Sequence, residues 1–426
     1  MYKHRLSALI LMVLLLVINI PTFTQNELTF FSTQFNTTNE GKKFSDIIKD
    51  SGYSFISTEE SPLLGEIYTE IGAGKGTIDV IGVLHGTFPP LASAGALKDL
   101  SPLLAQLSEN RQFSPELVEL GHLGTESTQY YIPWIQATYI MTANVDALPY
   151  LPEGADVMSL TWDEFADWCK NLFEINNQAL CGLPHAGLFH RFLEGYLFPS
   201  FTGGTITKFR SAEAVQMMEF MRDDLWQYIH PDSMNYEFMQ EPLLSGDVWV
   251  AFDHTARLMD AFSEEPDQFI GFPAPSGPAG RSFMPIVVGL GILDTSENID
   301  QAKALIDYLT SPKIQETILN ELAFFPVIDG LDMSDLSDGI KHEAEAVNAI
   351  TSSEDMLTVL PPVGLGEQEG EFNQIYRNAF DRIVLDGEDI QTVLNEEADN
   401  LQALLDKIDA PCWRPDPPSI GACQID

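Results

Sequence analysis

Glu27-Leu-Thr-Phe-Phe-Ser-Thr-Gln-Phe35, Tyr53-Ser-Phe-Ile-Ser-Thr58 and Ile78-Asp-Val-Ile-Gly-Val83 decide how the chain is read. Each run carries the apolar residues of a strand. Between them Asn36 to Gly41 turns the chain, a helix begins over Lys42 to Asp50, and Leu63–Ala73 is spaced as a second helix. The third strand ends at His85–Gly86. Strands alternating with helices imply an α/β fold whose sheet is mostly parallel and covered by helices on both faces.

The pattern continues downstream. Thr161 with Glu164 three residues on forms a capping box opening a helix to Asn176, and Ser211 caps a helix reaching Leu225. Ile286–Leu293 reads as a buried strand, and Asn298–Thr310 as a helix stopped by Ser311–Pro312. Glu371 to Ile408 reads as helix throughout, followed by a Pro-rich tail bracketed by cysteines.

A chain of 426 residues suits two domains, each burying its own core. With 45% hydrophobic and 20% charged residues it has the composition of a folded protein. Lys and Arg number 22 against 63 Asp and Glu, a formal net charge of −41 that repels nucleic acid and anionic lipid. The chain is therefore expected to be monomeric and to ignore DNA. The acidic residues are spread along the chain, which favours solubility and would suit a saline habitat.

Lys3, His4 and Arg5 precede an apolar run from Leu6 to Ile20 and then Pro21, so residues 1–25 read as a secretory signal peptide. No cysteine follows the run, so no lipid anchor is expected, and the protein is placed in the periplasm or outside the cell. In that oxidising setting Cys169, Cys181, Cys412 and Cys423 are read as disulfides. Of three connectivities, Cys169–Cys181 with Cys412–Cys423 needs the least chain rearrangement. A metal site would want closer cysteine spacing.

Gly72-Ala-Gly-Lys-Gly-Thr77 superficially resembles a phosphate-binding loop, but Thr69 stands where the first Gly is required and Gly76 where Ser or Thr is. The segment also precedes its strand, so ATP binding is rejected. HExxH and GxSxG motifs are absent.

Five collinear stretches carry a resemblance. They are Gly76-Thr-Ile-Asp-Val80 leading to Leu91-Ala-Ser-Ala-Gly-Ala-Leu-Lys-Asp-Leu-Ser-Pro-Leu-Leu104, and Tyr130-Tyr-Ile-Pro-Trp134 with Tyr139-Ile-Met-Thr-Ala-Asn-Val-Asp-Ala-Leu148. Leu160-Thr-Trp-Asp-Glu-Phe165 and Leu243-Leu-Ser-Gly-Asp-Val-Trp-Val-Ala-Phe252 follow, then Gly271-Phe-Pro-Ala-Pro275 through Gly289 to Ala302–Pro312 and Phe325-Pro326. In this order they resemble the extracellular solute-binding proteins of family 1, the group that includes maltose-binding protein. The resemblance implies a type II periplasmic-binding-protein fold: two lobes, each a mostly parallel sheet flanked by helices, joined by two or three hinge crossings. The crossings would fall near Ile135–Thr138, Gln268–Pro273 and Phe325–Asp329. Lobe I would then be 26–135 plus 270–326, lobe II 136–269 plus 327–410, and 411–426 the disulfide-bracketed tail.

The implied function is capture of a small polar ligand, foremost a sugar or oligosaccharide, for an ABC permease, with no catalysis and no cofactor. Polyamine or ferric iron would suit the same fold, and a secreted glycoside hydrolase is the enzymatic rival. Sugars join an apolar ring face to many hydroxyls, so their sites pair aromatic platforms with carboxylate, amide and guanidinium groups. Strand ends supply the candidates: Gln34, Phe35 and Asn36 after the first strand, His85 after the third, and Trp134 with Gln136 beside the first crossing. His190, Arg191, Gly204, Asp253 and His254 are the candidates from the second lobe. Trp134 is expected to be the platform, faced by Asp253 or His254. Against this, Trp134 and Phe35 could be core, Asp253 could cap the helix near Thr255, and His85 and His190 could be ordinary histidines. Val83-Leu-His-Gly-Thr87 and Ala256 depart from the maltose-type pattern, so maltodextrin is not implied.

Overall fold

The computed structural model describes residues 28–36, 38–49, 51, 53–125, 127–331 and 336–426. The signal segment expected at 1–25 lies outside the described residues. The strands are β1 (Thr29–Ser32), β2 (Ser54–Ser57), β3 (Val80–Leu84), β4 (Ile132–Ala137), β5 (Tyr139–Asn144) and β6 (Cys181–Gly182), continuing with β7 (Val250–His254), β8 (Phe269–Phe272), β9 (Arg281–Phe283), β10 (Ile286–Ile292), β11 (Phe325–Pro326) and β12 (Met356–Thr358).

Two sheets organise two helix-flanked lobes. The sheet of lobe I runs β11-β4-β10-β3-β1-β2, and that of lobe II runs β6-β7-β5-β8. Among the described residues the parallel pairs within these two sheets are β1–β2 and β1–β3 in lobe I and β6–β7 in lobe II, and a separate two-stranded ribbon pairs β9 with β12, also in parallel. β10 runs antiparallel to both β3 and β4, β11 to β4, and β5 to β7 and β8. Both sheets are thus mixed, where the strand–helix alternation implied mostly parallel ones. The cause is connectivity: strands that arrive from the other lobe need no helical crossover and can enter in either direction.

β4 runs into β5 with only Thr138 between them, so one extended stretch belongs to both sheets. This is the first crossing. The second does not lie at 268–273, because β8 pairs with β5 inside lobe II. Segment 270–283, expected in lobe I, ends instead in β9, which pairs with β12, and the chain enters lobe I through Met284–Pro285. Phe325–Asp329 stays with lobe I, where Asp329 N–H donates to the Gln112 carbonyl, whereas the helix Asp338–Thr351 packs on β8 of lobe II.

The Tyr196 hydroxyl joins the first two crossings. It lies 2.9 Å from Thr138 Oγ1 and accepts the N–H groups of Tyr139 and Met284 at 3.2 and 3.3 Å. Burial raises the Tyr196 phenol to about 12, so it keeps its proton.

Local signals formed as their chemistry dictates. Thr161 and Glu164 complete the capping box of Trp162–Asn176, and Ser211 caps Ala212–Glu219, which widens into a π turn over Phe220–Leu225. Both local disulfides are made, with Cα separations of 5.8 Å for Cys169–Cys181 and 4.6 Å for Cys412–Cys423. The stretch read as one helix from 371 to 408 is two, Glu369–Phe380 and Ile390–Ile408. Gly387 with φ 71° breaks it and Asp389 caps the second piece through Thr392 N–H. Arg382 clasps the break by pairing with Glu388, Glu396 and Glu397. Among the described residues no helix is long and apolar enough to cross a membrane.

Candidate functional site

The lobes meet where β3 ends. Past Leu84 the chain makes a tight turn over His85–Thr87 and starts the helix Phe88–Ser93, so backbone lies exposed to whatever faces the strand end. What faces it is the Pro361–Gly366 segment of lobe II. Gly364 N–H donates to the Gly86 carbonyl at 3.1 Å. A β-carbon on Gly86 would stand 2.1 Å from the Pro362 carbonyl oxygen, so glycine is what lets the two backbones touch.

Charged groups from both lobes converge beside this contact. Glu60, at the start of the lobe I helix Glu60–Ala73, accepts a hydrogen bond from Thr87 Oγ1 at 2.9 Å and lines one small cavity together with Glu369 of lobe II. Arg191 is buried and donates to Glu194 Oε1 at 2.6 Å and to Glu369. Burial works against the Arg191 charge, but Glu194 and Glu369 outweigh it and hold the guanidinium protonated. Burial lifts Glu194 to about 7, against the pull of Arg191.

Arg377 braces the same wall by donating to the carbonyls of His185 and Gly187, and it lies 3.3 Å from His190 Nδ1. Burial, then the charges of Arg191, Arg377 and Arg257, hold His190 well below the usual histidine range. His254 sits across from lobe I, its ring 5.9 Å from that of Phe324 and 5.2 Å from Tyr139. Its Nδ1 accepts the Ala256 N–H and so caps the turn Thr255–Arg257, and burial lowers its pKa to about 3. The imidazole is therefore neutral at physiological pH.

The other sequence candidates are placed differently. Trp134 is fully buried in lobe I, with rings of Phe30, Phe44 and Phe35 at 5.3, 5.5 and 5.7 Å. It has no face to offer a ligand, which corrects the expectation of a platform. Phe35, with φ 60°, stacks on Phe44 at 4.5 Å and belongs to the same core. Asp253 is fully buried, not turned to the cleft, and accepts the N–H groups of Met239 and His254 at 2.9 and 2.8 Å. It holds the start of the helix Gln240–Ser245, not the turn at Thr255. Burial raises its carboxyl to about 6. Gly204 packs on Asp416 of the C-terminal tail. Gln136 donates to the Pro326 carbonyl at 2.8 Å, tying β4 to β11. His85 is buried with Nδ1 2.9 Å from the Tyr131 hydroxyl, and burial lowers it to about 4. Gln34 bonds Thr33, and exposed Asn36 bonds Glu59 at 3.3 Å on the lobe I rim.

Of the sequence candidates, Arg191 lies in the convergence of charges and His190 and His254 stand on the lobe II wall. Glu60, Glu194, Glu369 and Arg377 were missed. Glu369 is 178 residues from the Arg191 it pairs with, and no local pattern announces such a partner. Among the described residues no group of His, Cys, Asp and Glu could hold a metal ion.

Two mixed sheets joined through Thr138 and closed over a polar seam can be compared with known proteins. The family model described as bacterial extracellular solute-binding protein matches residues 53–316, more than half of the chain. The chain belongs to that family. Its members are binding proteins that work outside the cytoplasm. Solved structures share the fold. The GacH receptor of Streptomyces glaucescens GLA.O, studied with acarbose, is 17% identical with TM-score 0.69, covering 89% of this chain and 98% of its own. Maltose-bound MalE3 of T. maritima is 19% identical with TM-score 0.69, covering 89% and 100%. UgpB from Mycobacterium tuberculosis, in complex with glycerophosphocholine, is 17% identical with TM-score 0.64, covering 90% and 99%. Among curated proteins none matches the sequence.

Proposed function

We propose that this solute-binding protein is the capture component of an ABC importer and that its ligand is a sugar or oligosaccharide held between the lobes. The observation that carries the reading is the convergence of Glu60 from lobe I with Arg191 and Glu369 from lobe II beside the backbone contact of Gly86 and Gly364. Carboxylate and guanidinium groups at one seam suit a ligand with many hydroxyls, each able to donate and accept. Relatives of the same fold bound to acarbose and maltose support the sugar class.

The mechanism needs no covalent step. A ligand touching both walls binds the closed form better than the open one and shifts the population by that difference in affinity. The permease would then read the closed outline. On this reading Arg191, His190 and His254 would contact the ligand from lobe II, and Asn36 and Gln34 from the lobe I rim. Export through residues 1–25 to the periplasm or cell exterior belongs to the same proposal.

The test is a thermal-shift panel of mono- and oligosaccharides, glycerophosphodiesters, polyamines and ferric salts on the mature protein. At a hundredfold excess over Kd a true ligand stabilises by about 2.7 kcal/mol. At least one saccharide should raise the melting temperature, and Arg191→Ala should abolish that rise. A rise confined to polyamines or ferric ion would overturn the sugar assignment.

A further inference from the structure

The polar seam contains an imbalance that ligand capture does not explain. Glu60 of lobe I and Glu369 of lobe II line one cavity of about 10 Å³, the space of a single water at most. Arg191, the cation beside them, is already engaged by Glu194 and Glu369, whereas Glu60 has a hydroxyl, that of Thr87, as its bonded partner. The Gly364–Gly86 hydrogen bond and the glycine-sized gap at Gly86 hold the two lobes together at this point. Beside this contact the Glu60 carboxyl is half-buried and lines the same cavity as Glu369 of the other lobe.

We propose that lobe closure is coupled to uptake of one proton by Glu60, so that acid favours the closed form and alkali the open form. The inference rests on the reading of the chain as a two-lobed binding protein and concerns the regulation of that same cleft.

The groups facing Glu60 are known from each element packed against it. Thr87 comes from the turn after β3, Arg191 from the short helix Phe189–Phe192, Glu369 from the helix Glu369–Phe380, and Glu367 from the preceding turn. Its own helix also carries Glu59 at the cap, Glu66 and Tyr68, which are not among the groups acting on the Glu60 carboxyl. Among the described residues Glu369 and Arg191 are the charged groups that act on it, and Glu369 acts more strongly. Burial first, and then Glu369, raises the closed-state carboxyl to about 7, with Thr87 and Arg191 pulling weakly the other way. In the open form water returns it towards the ordinary carboxylate range. The closed form thus holds the proton more tightly. Its advantage is complete below the open-state pKa and is lost as pH rises through about 7.

The test is small-angle X-ray scattering on the ligand-free mature protein between pH 5 and pH 8, fitted to open and closed populations. The expected result is an open-to-closed ratio that rises about tenfold or more across that range. Glu60→Gln should flatten the response to less than about twofold, and Glu369→Gln should move the midpoint to lower pH because it removes the opposing charge. An unchanged ratio in the wild-type chain, or a Glu60→Gln profile that follows the wild type, overturns the proposal. Because no ligand is added, failure here is distinct from failure of the sugar assignment.

Discussion

The carboxylate of Asp416 lies so close to Gly204 that a β-carbon there would stand 2.7 Å from Oδ1. The contact is one part of a cradle. Thr205 and Ile206 N–H groups donate to Oδ2 at 2.8 Å and Thr207 N–H to Oδ1 at 2.9 Å, with the Thr207 hydroxyl adding a further bond. Successive backbone donors forming an anion-binding concavity usually meet a ligand, but here they hold the chain's own tail. The site at Gly204 that the sequence offered to a solute is occupied from within.

Asp416→Ala should therefore cost about 2–4 kcal/mol, because it strands buried N–H donors without an acceptor. Gly204→Ala should also destabilise, by about 1–3 kcal/mol, since the added methyl group pushes the carboxylate off its donors. Urea unfolding checks both, and a loss below 0.5 kcal/mol for Asp416→Ala would show that the cradle is not stabilising.

The Cys412–Cys423 bridge closes a loop of 11 residues around Asp416. Cys412→Ser with Cys423→Ser is expected to cost up to about 3 kcal/mol through the freed chain. The two devices share one purpose, so their effects should not add. A double-mutant cycle with Asp416→Ala should give a coupling of at least about 0.5 kcal/mol, and strict additivity would separate them.

What the sequence made legible was local. The capping box at Thr161, the cap at Ser211 and both cysteine pairs concern residues within a dozen positions, and each formed. Non-local choices were not legible. β8 is a short apolar run whose side of the hinge depends on its partner β5, more than a hundred residues earlier. Trp134 sits on β4, where Ile132, Pro133, Trp134 and Ile135 are all buried, so no alternation marks which face meets solvent. Glu60, Glu194 and Glu369 were invisible among 63 acidic residues, because burial and the shared Arg191 distinguish them, not spacing.

Trp134→Ala should collapse stability, contrary to what a ligand platform would do. Loss of a fully buried tryptophan among Phe30, Phe35 and Phe44 costs about 3–5 kcal/mol. Trp134→Phe should cost less, since it preserves an aromatic ring among aromatic neighbours and the indole nitrogen has no hydrogen-bond partner among the described residues to lose. Thermal unfolding of the ligand-free protein decides this. An alanine variant with an unchanged melting temperature would return Trp134 to the cleft.

Glu343 offers the sharpest dependence on pH. It lies on the helix Asp338–Thr351 in the same helical row as Ala346 and Ile350, which join the apolar cluster of Ile140, Ala261, Phe262 and Phe269. The side chain is fully buried and neither carboxyl oxygen has a hydrogen-bond partner among the described residues. Burial accordingly pushes its pKa well above the usual carboxylate range. The unfolded chain exposes the same group at an ordinary pKa, so the folded state binds the proton more tightly. Stability from this site is complete below the ordinary carboxylate pKa and is lost as pH rises towards the folded value. Glu343→Met keeps the shape of the chain and removes the polar atoms. The variant should be more stable than the wild type at pH 7 by about 1–3 kcal/mol, and the gap should widen from pH 5 to pH 8. Urea unfolding at both pH values measures it. A variant less stable than the wild type at pH 8 would mean that Glu343 has a partner in solution and that its burial is not a liability.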